Sequence, residues 1–231
     1  MKLFGIKEIT GKITLKSGLH IGAGDMEMKI GGTDNPVIKH PHTQEPFIPG
    51  SSLKGKVRSL LEMRSGLMAK TEGKPLRPSD LKNCSEKEKE EGEKILRLFG
   101  SSGADDLYLA ELGPTRVSFA DAFINDAWKK ETDKGQLPLT EVKSENSINR
   151  IKGTAKDPRF TERVVSGCEF DFRISLKKFE DDPKLEEFLL EGLRLLQLDA
   201  LGGNGSRGYG KVELSFKDVE LQEKFDQITP L

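Results

Sequence analysis

The carboxylate of Asp34 stands in the run Gly31-Gly32-Thr33-Asp34-Asn35-Pro36, a glycine-flanked loop sequence. An aspartate on such a loop can position a hydroxyl or hold a metal ion against an oxyanion. Asp-Asn-Pro is also a good turn sequence, and Asp25 and Glu27 carry the same functional group nearby, so the residues by themselves leave both readings open. His20 has the side chain suited to acid or base work near neutral pH. His40 and His42 lie two apart in a proline-rich loop, but no third and fourth metal ligand is close, and both are expected in solvent. Cys84 and Cys168 are the only cysteines; without C-x-x-C spacing they read as ordinary thiols rather than a disulfide framework or zinc cage.

A second set of residues is cationic. Residues 51–70 hold Lys54, Lys56, Arg58, Arg64 and Lys70 against a single acid, Glu62, and 149–164 hold Arg150, Lys152, Lys156, Arg159 and Arg163. Acids gather elsewhere, at 86–93 and 180–191. A net charge of −1 excludes a protein that coats nucleic acid through a uniformly positive surface, so a polynucleotide must meet locally sorted cations.

The third set is Leu201-Gly-Gly-Asn-Gly-Ser-Arg-Gly-Tyr-Gly-Lys211, five glycines with Arg207 and Lys211 among them. Residues 203–208 formally match a dinucleotide fingerprint, and 205–211 nearly match a triphosphate loop. Both motifs must follow a strand and open a helix, whereas this run follows a helix and opens a strand, and Val212 replaces the magnesium-binding hydroxyl. What remains is backbone at Gly203, Gly205 and Gly208 able to approach a phosphate closely, since a plain turn needs one or two glycines rather than five.

Hydrophobic periodicity supplies the elements that must position these groups. Residues 4–15 alternate as a strand, with Ile9, Gly11, Ile13 and Leu15 on one face. Ser51 or Ser52 caps a helix whose apolar positions Leu53, Val57, Leu60 and Leu61 define one face, leaving Lys54 and Arg58 together on its flank near a helix start suited to phosphate. A short charged helix falls near Glu86–Phe99, a strand over Val117–Phe123, and the cleanest strand over 167–176. Asp182 and Pro183 open the strongest helix, with Leu185, Phe188, Leu189, Leu193, Leu196 and Ala200 on one stripe and Gly202 as its stop; Val212, Leu214 and Phe216 form a last strand. The order is the α+β, ferredoxin-like β-α-β-β-α-β pattern of an RNA-recognition motif (RRM-like). The aromatic base-stacking signature of that motif is missing, so base stacking on the sheet is not expected.

The totals bound the rest. At 231 residues the chain is expected to form one domain, 1–231, with long excursions at about 16–50, 66–115 and 125–163. Hydrophobic residues make up 35% and charged residues 32%, and no stretch approaches the ~20 apolar residues that cross a bilayer, so a soluble chain, without a membrane partner and cytoplasmic, is expected.

Three stretches together resemble a known family: His20-Ile21-Gly22-Ala23-Gly24 with Lys29 to Ile38, then Pro46-Phe47-Ile48-Pro49-Gly50-Ser51-Ser52-Leu53-Lys54-Gly55-Lys56-Val57-Arg58, then the glycine run. They are similar, essentially end to end, to the RAMP superfamily of CRISPR-associated proteins, and most to the repeated backbone subunit of the type III-A effector, the Csm complex. The resemblance implies an RRM-like palm, a lid built from the first two excursions and a thumb hairpin from the third. It implies that copies line up along a guide RNA (crRNA), each thumb displacing a nucleotide. Complementary target RNA would be cut at regular intervals by a divalent-metal-dependent endoribonuclease reaction, with Mg2+ or Mn2+, in which Asp34 is the essential aspartate and a possible metal ligand. Guide contacts are expected from His20, Ser51, Ser52, Lys54 and Arg58, from Asn146, Arg150, Lys152 and Arg159 on the thumb, and from Gly203, Gly205, Arg207 and Gly208. Implied partners are crRNA, target RNA, further copies of the chain, a large polymerase-like signalling subunit, a small subunit, and the RAMP subunits at the 5′ handle and the 3′ end. The alternatives are a non-catalytic crRNA scaffold, the equivalent type III-B subunit, and a guide-precursor endonuclease that works through His20 without metal.

Overall fold

The computed structural model describes residues 2–24, 35–101, 112–180 and 182–231. In chain order these form β1 (Leu3–Leu15), α1 (Gly50–Arg64), α2 (Leu67–Lys70), a 3-10 turn (Pro78–Asn83), α3 (Glu86–Phe99), β2 (Val117–Phe119), β3 (Phe123–Ile124) and α4 (Asp126–Lys134). There follow β4 (Thr140–Asn149), β5 (Thr154–Val164), β6 (Glu169–Phe179), α5 (Leu185–Leu198), a 3-10 turn (Gly205–Arg207), β7 (Val212–Phe216) and α6 (Val219–Gln227).

β1 lies in the middle of an antiparallel sheet because it is apolar on one face along its C-terminal half. It pairs with β6 on one side (Ile9↔Ile174, Ile13↔Phe170) and with β7 on the other (Ile13↔Leu214, Leu15↔Val212). β2 and β3 share the far edge of β6. The order β2/β3–β6–β1–β7 is that of the ferredoxin-like fold. The expected single strand over 117–123 is therefore two short ones, interrupted where Asp121 turns to the start of α1.

One core cluster joins the apolar sheet face to α1 and α5, with Val57, Leu61, Leu189 and Leu196 fully buried. Each such leucine contributes about 1.5–3 kcal/mol of burial. Cys168 is part of this core, where burial pushes its thiol up to about 12 and leaves it inert. The opposite sheet face is wet and carries the Lys12–Glu169 and Glu8–Arg173 ion pairs. Leu67, Leu76, Leu81, Ile95 and Phe99, all within 66–115, belong to the same cluster. Residues 125–163, which show no sequence period, contain α4 followed by the β4–β5 hairpin.

Two helix starts differ from expectation. α1 begins at Gly50 after Pro49, with no side-chain cap from Ser51 or Ser52; the Gly50 N–H instead donates to Asp121 Oδ1 at 2.7 Å. α5 begins at Leu185, and Asp182 is drawn away into a buried pair with Arg116, at 2.7 Å, because that arginine is only 1% exposed and requires a counter-charge. α6 closes Phe225 onto Phe216, a helix that the sequence pattern did not reveal.

Candidate nucleic-acid interface

The glycine run leaves α5 and turns back into β7. Lys211 Nζ donates to the carbonyls of Leu198 and Asp199, a cation on the last orphan acceptors of α5. Positive φ at Gly202, Asn204, Gly208 and Gly210 drives the reversal. A Cβ on Gly210 would lie 1.9 Å from the Leu201 carbonyl oxygen, and one on Gly202 would lie 2.4 Å from that of His20. The turn's amides are less bare than the sequence suggested: Gly203 N–H donates to His20 O, Gly208 N–H to Gly205 O and Gly210 N–H to Gly18 O. Chain reversal, not a ligand, accounts for most of the glycines. The N–H groups of Gly205 and Ser206 have no acceptor among the described residues.

α1 meets this turn. Lys56 pairs with Asp199 at 2.6 Å, tying the first turns of α1 to the end of α5. Ser51 is exposed and Ser52 half-buried beside them. The expected cationic pair on the helix flank is reduced to one residue. Arg58 turns inward, its Nε on Glu62 Oε1 at 2.7 Å and its two terminal nitrogens on the carbonyls of Gly100 and Leu76, each at 2.8 Å. Glu62 is buried and demands this counter-charge, which is why the arginine cannot serve as a free flank cation. Lys54 remains, its ammonium pushed below the ordinary lysine value by burial and by the charge of Arg58, a setting in which an added anion is favoured.

The hairpin leans on the glycine turn from the other side. Arg207 pairs with Glu145 at 2.7 Å and also donates to Asn204 Oδ1; Lys143 donates to the Arg207 carbonyl at 3.2 Å. Tyr209 is buried between two cations, Lys143 at 4.5 Å and Arg163 at 5.0 Å from its ring centroid. Glu145, Asn146, Asp157, Arg159 and Arg207 line an open cleft of about 420 Å³ between hairpin and turn, so three residues expected from sequence are brought together there. Arg150 and Lys152 sit apart at the hairpin tip, exposed, in a turn held by Asn149 Oδ1, which accepts from Ile151 and Lys152 N–H.

His20 links turn and hairpin. Its carbonyl accepts from Gly203, and its Nδ1 lies 2.7 Å from the Glu162 carbonyl. The Glu162 carboxylate is buried, and it accepts from Val37 N–H at 3.0 Å and from Lys39 Nζ at 2.6 Å. Burial alone would raise its pKa; the bonds from Lys39, Val37 and Thr140 outweigh that and hold it below the ordinary carboxylate value. Asp34, Asp25 and Glu27 lie outside the described residues, but both stems of their loop are described. Ala23 N–H donates to Pro36 O and Ile38 N–H to Ile21 O, while Glu162 N–H donates to Asn35 O at 3.1 Å. The residue after Asp34 is thus fixed on β5, two bonds from His20. Among the described residues no group of three or more His, Cys, Asp or Glu could hold a metal ion. His40 is half-buried near Phe123, and His42 is exposed.

Sequence reasoning missed Glu162, Lys143, Glu145 and Tyr209. Only Tyr209 carried a signal, as the lone aromatic residue in the glycine run.

The sequence pattern of the RAMP superfamily matches residues 12–213. The CRISPR system Cms endoribonuclease Csm3 of Methanothermobacter thermautotrophicus is 39% identical over 231 residues, covering 94% of this chain and 85% of that protein. The protein of the same description from Streptococcus thermophilus is 40% identical over 210 residues, covering 89% and 85%. Among solved structures, a chain of the Csm3-Csm4 subcomplex of the type III-A CRISPR-Cas interference complex aligns over 99% of both chains, with a TM-score of 0.57 and 26% identity. A chain of the type III-B Cmr-beta complex bound to cognate target RNA shares the fold over 91% of this chain and 59% of its own length, with a TM-score of 0.55 and 18% identity. No helix of the described residues is long and apolar enough to cross a membrane. A pattern match across most of the chain and full-length relatives near 40% identity place this protein in the RAMP superfamily, among the Csm3 proteins.

Proposed function

We propose that this chain is the repeated backbone subunit of a type III-A RNA-guided effector complex, which grips crRNA along its length and cuts complementary target RNA at regular intervals. The observation that carries this is the convergence on one exposed surface of the glycine turn, His20, the cationic hairpin and the anchored stem that leads into Asp34. The names of the relatives, endoribonuclease Csm3, support the cutting activity, and the type III-A subcomplex supports the assembly. Further copies of the chain, target RNA and the other Csm subunits are its proposed partners, with the cytoplasm as the proposed location.

Lys54, Arg207, Arg159 and the tip residues Arg150 and Lys152 would neutralise phosphates, while Ser51, Ser52 and Asn146 offer uncharged donors. These contacts carry no sequence information; base pairing does that work in guided systems. For the cut, the 2′-hydroxyl attacks the neighbouring phosphorus in line with the departing 5′-oxygen, and Asp34 positions that hydroxyl. Asp34, Asp25 and Glu27 supply the oxygens that hard divalent cations take, and Mg2+ or Mn2+ enters the proposal on that chemistry, as a neutraliser of phosphate charge.

The test is a reconstituted complex carrying wild-type chain or Asp34→Ala, incubated with end-labelled complementary RNA, with and without magnesium and chelator. A ladder of evenly spaced products is expected from the wild type in magnesium. Asp34→Ala should retain crRNA and lose the ladder. Undiminished cutting by Asp34→Ala would remove Asp34 from the reaction, cutting in chelator would remove the metal, and no ladder under any condition would leave a crRNA-binding scaffold.

A further inference from the structure

The cleft between hairpin and glycine turn contains two carboxylates, Asp157 and Glu145, and Glu145 is the one that Arg207 holds. Glu145 sits among three cations: Arg207 at 2.7 Å, Lys143 at 3.4 Å, and Arg159 directly across the β4–β5 ladder. Its side chain is 18% exposed, whereas that of Arg207 is 47% exposed, so the arginine stands at the mouth of the cleft with the carboxylate behind it. A guanidinium binds carboxylate and phosphate through the same fork of donors, and an ion pair open to solvent on one side is held weakly. Such a pair is readily exchanged for another anion.

A second observation gives the displaced carboxylate somewhere to go. The Tyr209 hydroxyl is buried and makes no hydrogen bond of proper geometry among the described residues. Burial pushes its pKa up, and so do the charge of Glu145 and the hydroxyl's approach to that carboxylate, so the two groups are close neighbours. A carboxylate released from Arg207 keeps the buried Tyr209 hydroxyl as a neighbour that can donate to it.

We propose that Glu145 is a resident counter-anion for Arg207 that a backbone phosphate of RNA displaces on binding. The inference rests on the RNA-binding reading of this surface and adds a selectivity device to it. RNA that reaches only this cation gains little by the exchange, whereas RNA held at many other contacts pays the exchange and stays. The carboxylate thereby suppresses occupation by stray RNA.

The full-length chain is titrated into a short, unstructured, fluorescently labelled single-stranded RNA across a range of salt, with anisotropy as the readout. E145Q, of nearly the same shape, is expected to tighten binding about three- to tenfold at low salt and to steepen the salt slope by about one unit, as no freed carboxylate takes back one of the cations that the RNA releases. R207Q is expected to weaken binding, and E145Q added to R207Q should gain nothing. Thermal melting followed by circular dichroism verifies folding, and E145S gives the same reading should E145Q fail to fold. Binding by E145Q equal to or weaker than wild type overturns the proposal. So does a gain that persists in full on the R207Q background, which would make Glu145 a general repulsive charge. If R207Q binds RNA as the wild type does, the assignment of the turn to RNA fails together with this inference, whereas a weakened R207Q with an unchanged E145Q sinks the inference alone.

Discussion

The imidazole Nδ1 of His20 lies 2.7 Å from the main-chain carbonyl of Glu162. A carbonyl oxygen can only accept, so Nδ1 carries a proton and donates it to that carbonyl. The same glutamate fixes Val37 and Lys39 through its carboxylate and Asn35 through its N–H. One residue of β5 thereby orders both the ring and the exit stem of the Asp34 loop. No local sequence rule joins residues so far apart.

Glu162→Gln removes the charge that Lys39 and Val37 N–H share. It is expected to lower stability by about 1–3 kcal/mol, read as a fall in thermal midpoint, and to slow target cleavage in the assembled complex more than it weakens crRNA binding. Because the folded-state pKa of Glu162 is depressed below its ordinary 4.5, its contribution is present above that value and is lost as pH falls through the folded value. Wild type should lose more stability than the variant on acidification below about pH 4.5, as followed by urea unfolding at a series of pH values.

Gly210→Ala and Gly208→Ala separate conformational strain from crowding. Both positions have positive φ, at 69° and 81°, but only at Gly210 does a Cβ meet backbone, 1.9 Å from Leu201 O. The Gly208 variant should lose about 1–2 kcal/mol. The Gly210 variant should lose about 3 kcal/mol or more, or fail to accumulate as folded protein, since backbone must move. Denaturant midpoints compare them.

Arg58→Ala leaves buried Glu62 without its cation and is expected to destabilise the chain by about 3–5 kcal/mol. Lys54→Ala, one turn earlier, should change stability by about 0.5 kcal/mol or less and weaken RNA binding with a shallower salt dependence. Melting curves and salt-dependent anisotropy on the same two variants test the division. A stable Arg58→Ala with impaired RNA binding would reverse it.

The alternation of Ile9, Ile13 and Leu15, the stripe from Leu185 to Leu196 and the order of elements determined the fold from sequence, because periodic burial is local information. The glycine run reads in the sequence as backbone open to a phosphate, whereas positive φ at Gly202, Gly208 and Gly210 puts three of its glycines to use in the chain reversal. Tertiary structure decided the rest. It turned Arg58 inward to meet buried Glu62, drew Asp182 to Arg116 instead of the head of α5, set Glu145 against Arg207, and brought Glu162 under the stem of the Asp34 loop. Each of these is a charge whose partner is chosen by which groups are withdrawn from water together. That choice depends on three-dimensional neighbours at long sequence separation, and no periodicity records it.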